Sequence, residues 1–282
     1  MTAERDDEKF AQLVDALGPY LARVVIVGGW AHRLFRNHPL AQTLPYAPLM
    51  TRDTDVALPT GIALDEENVR ERLLSRGFHE EFLGDGRPPV THYHLGGDDA
   101  GFYVEFLTPL VGSEFKRDDT RDVTTTIAGV TAQKLRYLEV LLIAPWSVPL
   151  TFGGLAGQLP ARINIANPVS YIVQKLLVSG KRKPGERAKD VLYIHDTFEV
   201  SDYRLVAERS KIPYLYEIRS TGINGACPIV LTVPRRSMTP CATNWRARAG
   251  TMRACVTNWH AWNVSAPSWN ASAIGCVARM NG

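Results

Sequence analysis

Asp53 and Asp55 stand two apart in Thr51-Arg-Asp53-Thr-Asp55-Val-Ala-Leu58. Read as a strand, that segment points both carboxylates to one face and sends Thr54, Val56 and Leu58 to the other. Two like charges held side by side are unfavourable unless a cation neutralises them, and Mg²⁺ prefers carboxylate oxygen. A third acid fits the same plan. In Phe102-Tyr-Val-Glu105-Phe-Leu107, the residues Phe102, Val104 and Phe106 share one face, and Glu105 lies on the opposite one. A lone carboxylate in so apolar a strand is costly to bury without a metal or a basic partner. Upstream, an apolar strand over Arg23–Val27 ends abruptly at Gly28-Gly29, and a helix follows from Trp30. Glycines there let the backbone approach a phosphate closely, and helical N–H groups can receive the anion.

These elements need positioning, and the rest of the chain supplies candidates. Glu8–Leu21 carries Phe10, Leu13, Val14, Leu17 and Leu21 at helical spacing. Asn37–Met50 holds three prolines and reads as a loop. A helix over roughly Asp65–Arg76 follows the D-x-D strand. Gly77–Leu107 reads as strands, with turns at Gly84-Asp85-Gly86 and Gly96-Gly97. Gln133–Ile143 is predicted helical and Arg162–Ala166 a short strand. Asn167-Pro168 then supplies a cap and a first-turn proline for a helix whose stripe is Val169, Ile172, Val173, Leu176 and Leu177. A basic turn, Lys181-Arg182-Lys183-Pro184-Gly185, leads to a last helix ending near Phe198. The predicted fold class is α/β: a mixed, twisted sheet with flanking helices, followed by a mostly helical region. The predicted divisions are a core over 1–130, a helical region over 131–207 completing the site, and an irregular basic tail over 208–282.

That tail differs in character. It holds nine Lys/Arg against two Asp/Glu, whereas residues 1–207 hold 23 against 27, so the net charge of +3 describes the tail more than the core. All four cysteines (Cys227, Cys241, Cys255, Cys276) fall there without a CxxC pair, which supports neither a zinc nor a redox motif. Periodicity is lost after about Ala207; the stretch reads either as a basic appendage or, the favoured alternative, as out of frame with what precedes it, and no function is placed there. No apolar run reaches membrane-spanning length, and the charged start MTAERDDEKF lacks a signal-peptide core, so a cytoplasmic protein is expected.

The succession of strand, Gly-Gly, helix, loop, D-x-D strand and Glu strand resembles the nucleotidyltransferase superfamily. The segments VGGWAHRLF, TRDTDVAL, VEFLTPLVG and a later QKLL…KRK…AKD are similar to a bacterial branch of nucleotidyltransferase-fold proteins, and more distantly to the abortive-infection nucleotidyltransferase toxins. The resemblance spans about residues 20–200. It departs in the 23 residues between Gly29 and Asp53, lengthened by the Pro-rich segment His38–Met50. It implies that Gly28 and Gly29 hold the phosphates of an NTP. Asp53, Asp55 and Glu105 would then bind two Mg²⁺ ions, and NMP would pass to the hydroxyl of an RNA, a protein or a small molecule. It also places Lys175, Lys189 and Asp190 near the nucleotide and raises a cognate antitoxin as a partner. Arg33 and His32, just after the glycines, are further phosphate candidates, although Arg33 could equally pair with an acid. Lys181, Arg182 and Lys183 read more readily as a solvated basic loop than as a nucleic-acid contact. His92 and His94, two apart on a strand, lack an evident third ligand, so no zinc site is assigned. The rival function is a catalytically silent nucleotide-binding or regulatory module of the same fold.

Overall fold

The computed structural model describes residues 2–84, 86–96, 101–115, 117, 119–150 and 162–201. The basic tail and the turn residues Asp85 and Gly97 lie outside them. Among the described residues, nine strands form one mixed sheet. The path runs β3 (Phe78–Leu83), β4 (Val90–Leu95), β5 (Tyr103–Pro109), β2 (Asp53–Ala57), β1 (Val25–Val27), β9 (Arg162–Ile165) and β8 (Trp146–Pro149). β7 (Val130–Leu135) pairs with β5 and with β6 (Thr124–Ile127). β5 is therefore a fork. One edge runs parallel to β2 along its length, while the other is shared between β4 at Tyr103 and Val104 and β7 from Phe106 onward.

Among the described residues, five helices flank the sheet: α1 (Thr2–Leu17), α2 (Gly28–Leu34), α3 (Val69–Ser75), α4 (Pro168–Val178) and α5 (Pro184–Ser201). The apolar stripe of α1 buries Phe10, Leu13, Val14 and Leu17 completely. Phe10 stacks on Trp30 of α2 with ring centres 4.1 Å apart, and Trp30 meets Phe102 edge-on at 6.1 Å. This aromatic row covers the face of the sheet that Val56, Val104 and Phe106 also line. On α4, the buried Val169, Ile172 and Val173 pack with Val140 and with Leu176, Leu177, Ile194 and Phe198. Each such buried aliphatic chain contributes about 1.5–3 kcal/mol.

Local signals set the boundaries. α1 stops earlier than Leu21 because Gly18 takes φ +39° and Pro19 follows, and the chain tightens into a 3₁₀ turn over Gly18–Tyr20. α3 starts later than Asp65 because a capping box fixes its first turn: Asn68 Oδ1 accepts from Glu71 N–H at 2.9 Å, and the Glu71 carboxylate accepts from Asn68 N–H at 3.0 Å. Asn167 caps α4 through its side chain, with Pro168 in the first turn, as its sequence predicts. One prediction fails outright. Gln133–Ile143 is not a helix: Gln133 and Lys134 lie in β7 opposite Leu107 and Thr108, and Leu138–Leu142 form a 3₁₀ turn after Tyr137, whose φ is +63°. Cross-strand pairing with β5 outweighs a weak helical propensity there. β7, β8 and β9 all join the common sheet, and after β9 the described chain is helical.

Candidate active site

Parallel pairing of β2 with β5 sets Asp53 opposite Tyr103 and Asp55 opposite Glu105. Because strand side chains alternate, Asp53, Asp55, Tyr103 and Glu105 share one face, while Thr54, Val56, Val104 and Phe106 are buried on the other. β1 runs antiparallel to β2 with Val27 opposite Asp55, so the Gly28-Gly29 turn leaves the sheet beside that carboxylate. Gly28 adopts φ +61°, and a Cβ on it would overlap the Asp55 carboxylate. A Cβ on Gly29 would strike Thr51 and lie 3.0 Å from the Tyr193 hydroxyl. Only glycine allows the turn, the acid and Tyr193 to crowd together in this way.

The cluster is electrostatically frustrated. Burial, then the charges of Asp53 and Glu105, push Asp55 up to about 7, against the opposing pull of Lys175 and Arg182. Burial also raises Glu105, with Asp53 adding to the rise and His92 and Gln133 working against it. Burial and the three carboxylates together lift the Tyr103 phenol to about 12. An all-oxygen donor set that resists ionisation for want of a counter-charge is chemically suited to a hard divalent cation. Asp53 in addition accepts a hydrogen bond from the Thr51 hydroxyl. Glu105 is held from both branches of the fork: Gln133 Nε2 of β7 donates to its Oε2 at 2.7 Å, and His92 Nε2 of β4 stands 3.1 Å from its Oε1.

The helical part of the site is made by α4 and α5. Lys175 Nζ, buried, donates to Asp190 Oδ1 at 2.6 Å and sits over the rings of Tyr171 and Tyr193 at 4.8 and 4.7 Å. Burial lowers the Lys175 ammonium, and Asp190 and Asp55 oppose that shift. Arg182 Nε approaches Asp190 at 3.5 Å. Lys189 is exposed, 5.7 Å above the ring of Tyr193. Among the described residues the buried Tyr193 hydroxyl has no hydrogen-bond partner. Burial first, then Asp53, Asp55 and Asp190, raises it.

Not every residue singled out in the sequence gathers here. Arg33 pairs with Asp7 of α1 and lies over Trp30 at 4.7 Å, the acid-pairing alternative open to it from the start. His32 turns inward, with Nε2 2.9 Å from Asp196 of α5, whose carboxylate also accepts from Arg36 at 3.1 and 3.2 Å. Lys181 contacts Glu114 at 3.1 Å. Tyr193, Tyr103 and Gln133 went unrecognised in the sequence. Tyr193 follows Asp190 by three residues on one helix face, which was a usable signal. Gln133 had none, since its segment reads as helix. His92 and His94 do have a third potential ligand: Glu81, brought across from β3 by its pairing opposite His92.

Among the described residues, no helix is long and apolar enough to cross a membrane. A comparison with curated proteins gives no match. The family described as nucleotidyltransferase matches residues 5–211, from α1 to beyond α5, and so takes in every side chain of this site. With that match over the Gly-Gly turn, the D-x-D strand and the Glu105 strand, the chain belongs to the nucleotidyltransferase family.

Proposed function

We propose that the protein is a divalent-metal-dependent enzyme that transfers NMP from an NTP to an acceptor hydroxyl, with Asp53, Asp55 and Glu105 as its catalytic carboxylates. The observation that carries this reading is the register of β2 against β5, which makes Asp55 and Glu105 direct neighbours with Asp53 on the same face. Three acids in one place, two of them resisting ionisation, favour a bound cation over a silent scaffold. Asp53, Asp55 and Glu105 would hold a pair of Mg²⁺ ions, which would supply charge neutralisation for the triphosphate and acidify the acceptor hydroxyl.

The chain's own groups do the rest. The backbone of Gly28 and Gly29 lies beside the phosphates, and the absence of side chains there keeps the approach open. Tyr193, whose hydroxyl has no partner among the described residues, donates to a phosphate oxygen. The Lys175 ammonium, held by Asp190, adds positive charge beside Asp55. Gln133 and His92 keep the Glu105 carboxylate in one orientation. The acceptor oxygen attacks the α-phosphorus in line and loses its proton. The bond from phosphorus to the bridging oxygen breaks, and pyrophosphate leaves. Catalysis on this plan is positioning and charge neutralisation.

The test is incubation with each α-³²P-labelled NTP, Mg²⁺ and total RNA or protein, beside the Asp53→Ala/Asp55→Ala variant. Label on a macromolecule, lost in the variant, supports the reading and reveals the acceptor. A folded protein that binds Mg²⁺–NTP and labels neither RNA, protein nor small molecules would instead be the silent module.

A further inference from the structure

A second polar cluster lies on the same sheet face, one strand out from Glu105. The antiparallel pairing of β3 with β4 sets Glu81 opposite His92 and His79 opposite His94. Glu81 Oε2 is 2.8 Å from His94 Nε2 and 4.0 Å from His92 Nδ1, and one ligand atom from each of the three residues falls within 4.8 Å of the others. His94 is buried and His92 half-buried. Both rings are braced: His92 stacks on Tyr103 at 4.5 Å and 17°, and His94 stacks on His79 at 5.5 Å and 24°.

The two nitrogens of His92 face different partners. Nε2 points to Glu105 at 3.1 Å and Nδ1 towards Glu81. A ring proton on Nε2 bridges to Glu105 and leaves the Nδ1 lone pair turned into the cluster. This is the arrangement in which metal-binding histidines are found, with the far nitrogen donating to a carboxylate. Tetrahedral ligands at bonds of about 2.0 Å lie roughly 3.3 Å apart. The two distances from Glu81, 2.8 and 4.0 Å, bracket that spacing, and with every pair of the three ligand atoms within 4.8 Å the set closes through side-chain adjustments of about 1–1.5 Å.

We propose that Glu81, His92 and His94 form a binding site for a divalent transition-metal ion of the zinc type, separate from the carboxylate site of Asp53 and Asp55. Two imidazoles and one carboxylate are borderline donors that favour Zn²⁺ over Mg²⁺, whereas the three acids are hard oxygen donors with the opposite preference. Three protein ligands leave a fourth position open to water or to a ligand group. His92 is common to both clusters, as a metal ligand through Nδ1 and as a positioning residue for Glu105 through Nε2.

The test uses the full chain, stripped with a chelator and with its thiols capped by iodoacetamide, so that the four cysteines do not compete. Equilibrium dialysis against Zn²⁺ in excess Mg²⁺ should give one Zn²⁺ per chain. Affinity should fall at least 100-fold in His92→Gln and in His94→Gln, and remain within a few-fold of wild type in Asp53→Asn/Asp55→Asn. Co²⁺ in place of Zn²⁺ should give visible ligand-field bands that His94→Gln abolishes. Melting curves on the metal-free variants check that each is folded, and Glu81→Gln, on an exposed side chain, provides a milder third ligand change. The proposal is overturned if no Zn²⁺ survives excess Mg²⁺. It is equally overturned if stoichiometric binding persists in the folded His92→Gln/His94→Gln double variant, or vanishes in Asp53→Asn/Asp55→Asn.

Discussion

Replacing Asp55 by Asn should stabilise the metal-free protein while removing its response to Mg²⁺. Asp55 titrates near 7 in the fold and near 3.8 in an unfolded chain. Below pH 4 both states are protonated and the residue is neutral in its effect. As pH rises from 4 to 7, the unfolded state ionises first, and the fold loses up to about 1.4 kcal/mol per pH unit. Above 7 the penalty is fully present. The three-unit difference gives an upper value of about 4 kcal/mol. Since Asp55 is only half-buried by surface area, the expected range is about 2–4 kcal/mol. Asparagine keeps the shape that Gly28 packs against and carries no charge, so Asp55→Asn should escape the penalty. Urea unfolding in a chelator should show the variant more stable by that amount at pH 8. Its melting temperature should be higher by roughly 4–15 °C, and the gap should close towards pH 4. Adding Mg²⁺ at pH 8 should raise the wild type and leave the variant nearly unmoved. A variant less stable than wild type at pH 8 without metal, or one that gains as much from Mg²⁺, would refute the reasoning.

Other perturbations separate the parts of the site. Glu105→Gln should cut nucleotidyl transfer by about 100-fold or more while shifting NTP affinity by only a few-fold, read by single-turnover kinetics beside nucleotide titration. Gly28→Ala forces a Cβ onto the Asp55 carboxylate at a backbone angle of φ +61°, and should cost about 2 kcal/mol or more in chemical denaturation. Lys175→Met removes the charge-assisted bond to Asp190 and the cation beside Asp55. The expected effect is a ~10- to 100-fold rise in KM for the NTP, with a smaller change in kcat. Asp196→Asn removes the charge that the half-buried Arg36 is paired with and should cost about 2–3 kcal/mol of stability at neutral pH. Burial works against the Asp196 charge, but hydrogen bonds from His32, Arg36 and Tyr46 hold it down to about 2, so that contribution is present above pH 4 and fades as pH falls towards 2.

Where the information was local, the sequence was readable. Alternation in Thr51–Leu58 and Phe102–Leu107 gives the faces of β2 and β5 without any knowledge of pairing, and Asn167-Pro168 announces α4 through chemistry confined to its first turn. What stayed hidden was register. That Asp55 lies opposite Glu105, and Glu81 opposite His92, depends on which strands pair and at what offset, and no spacing along the chain encodes it. The same limit explains Gln133–Ile143. Its residues carry no strong strand pattern of their own and become β7 because the outer edge of β5 is open to them. Arg33 shows the converse: proximity to Gly29 in sequence suggests a phosphate contact, but the helical turn carries its side chain round to α1 and Asp7.

The fork in β5 has a mechanical consequence. Glu105 sits where the strand's outer edge passes from β4 to β7, and its two oxygens are clasped from opposite branches, by His92 on one and by Gln133 on the other. The β3–β4 hairpin is thereby a lever whose fulcrum is the third acid. Whatever changes the hairpin's tilt re-aims Glu105, and whatever fixes Glu105 must, by thermodynamic reciprocity, stiffen the hairpin. Amide hydrogen exchange along Val90–Leu95 therefore reports on occupancy of a site whose acids lie on other strands: slowing there when Mg²⁺–NTP is added, and its loss in Glu105→Gln, would register the linkage from the far end of the lever.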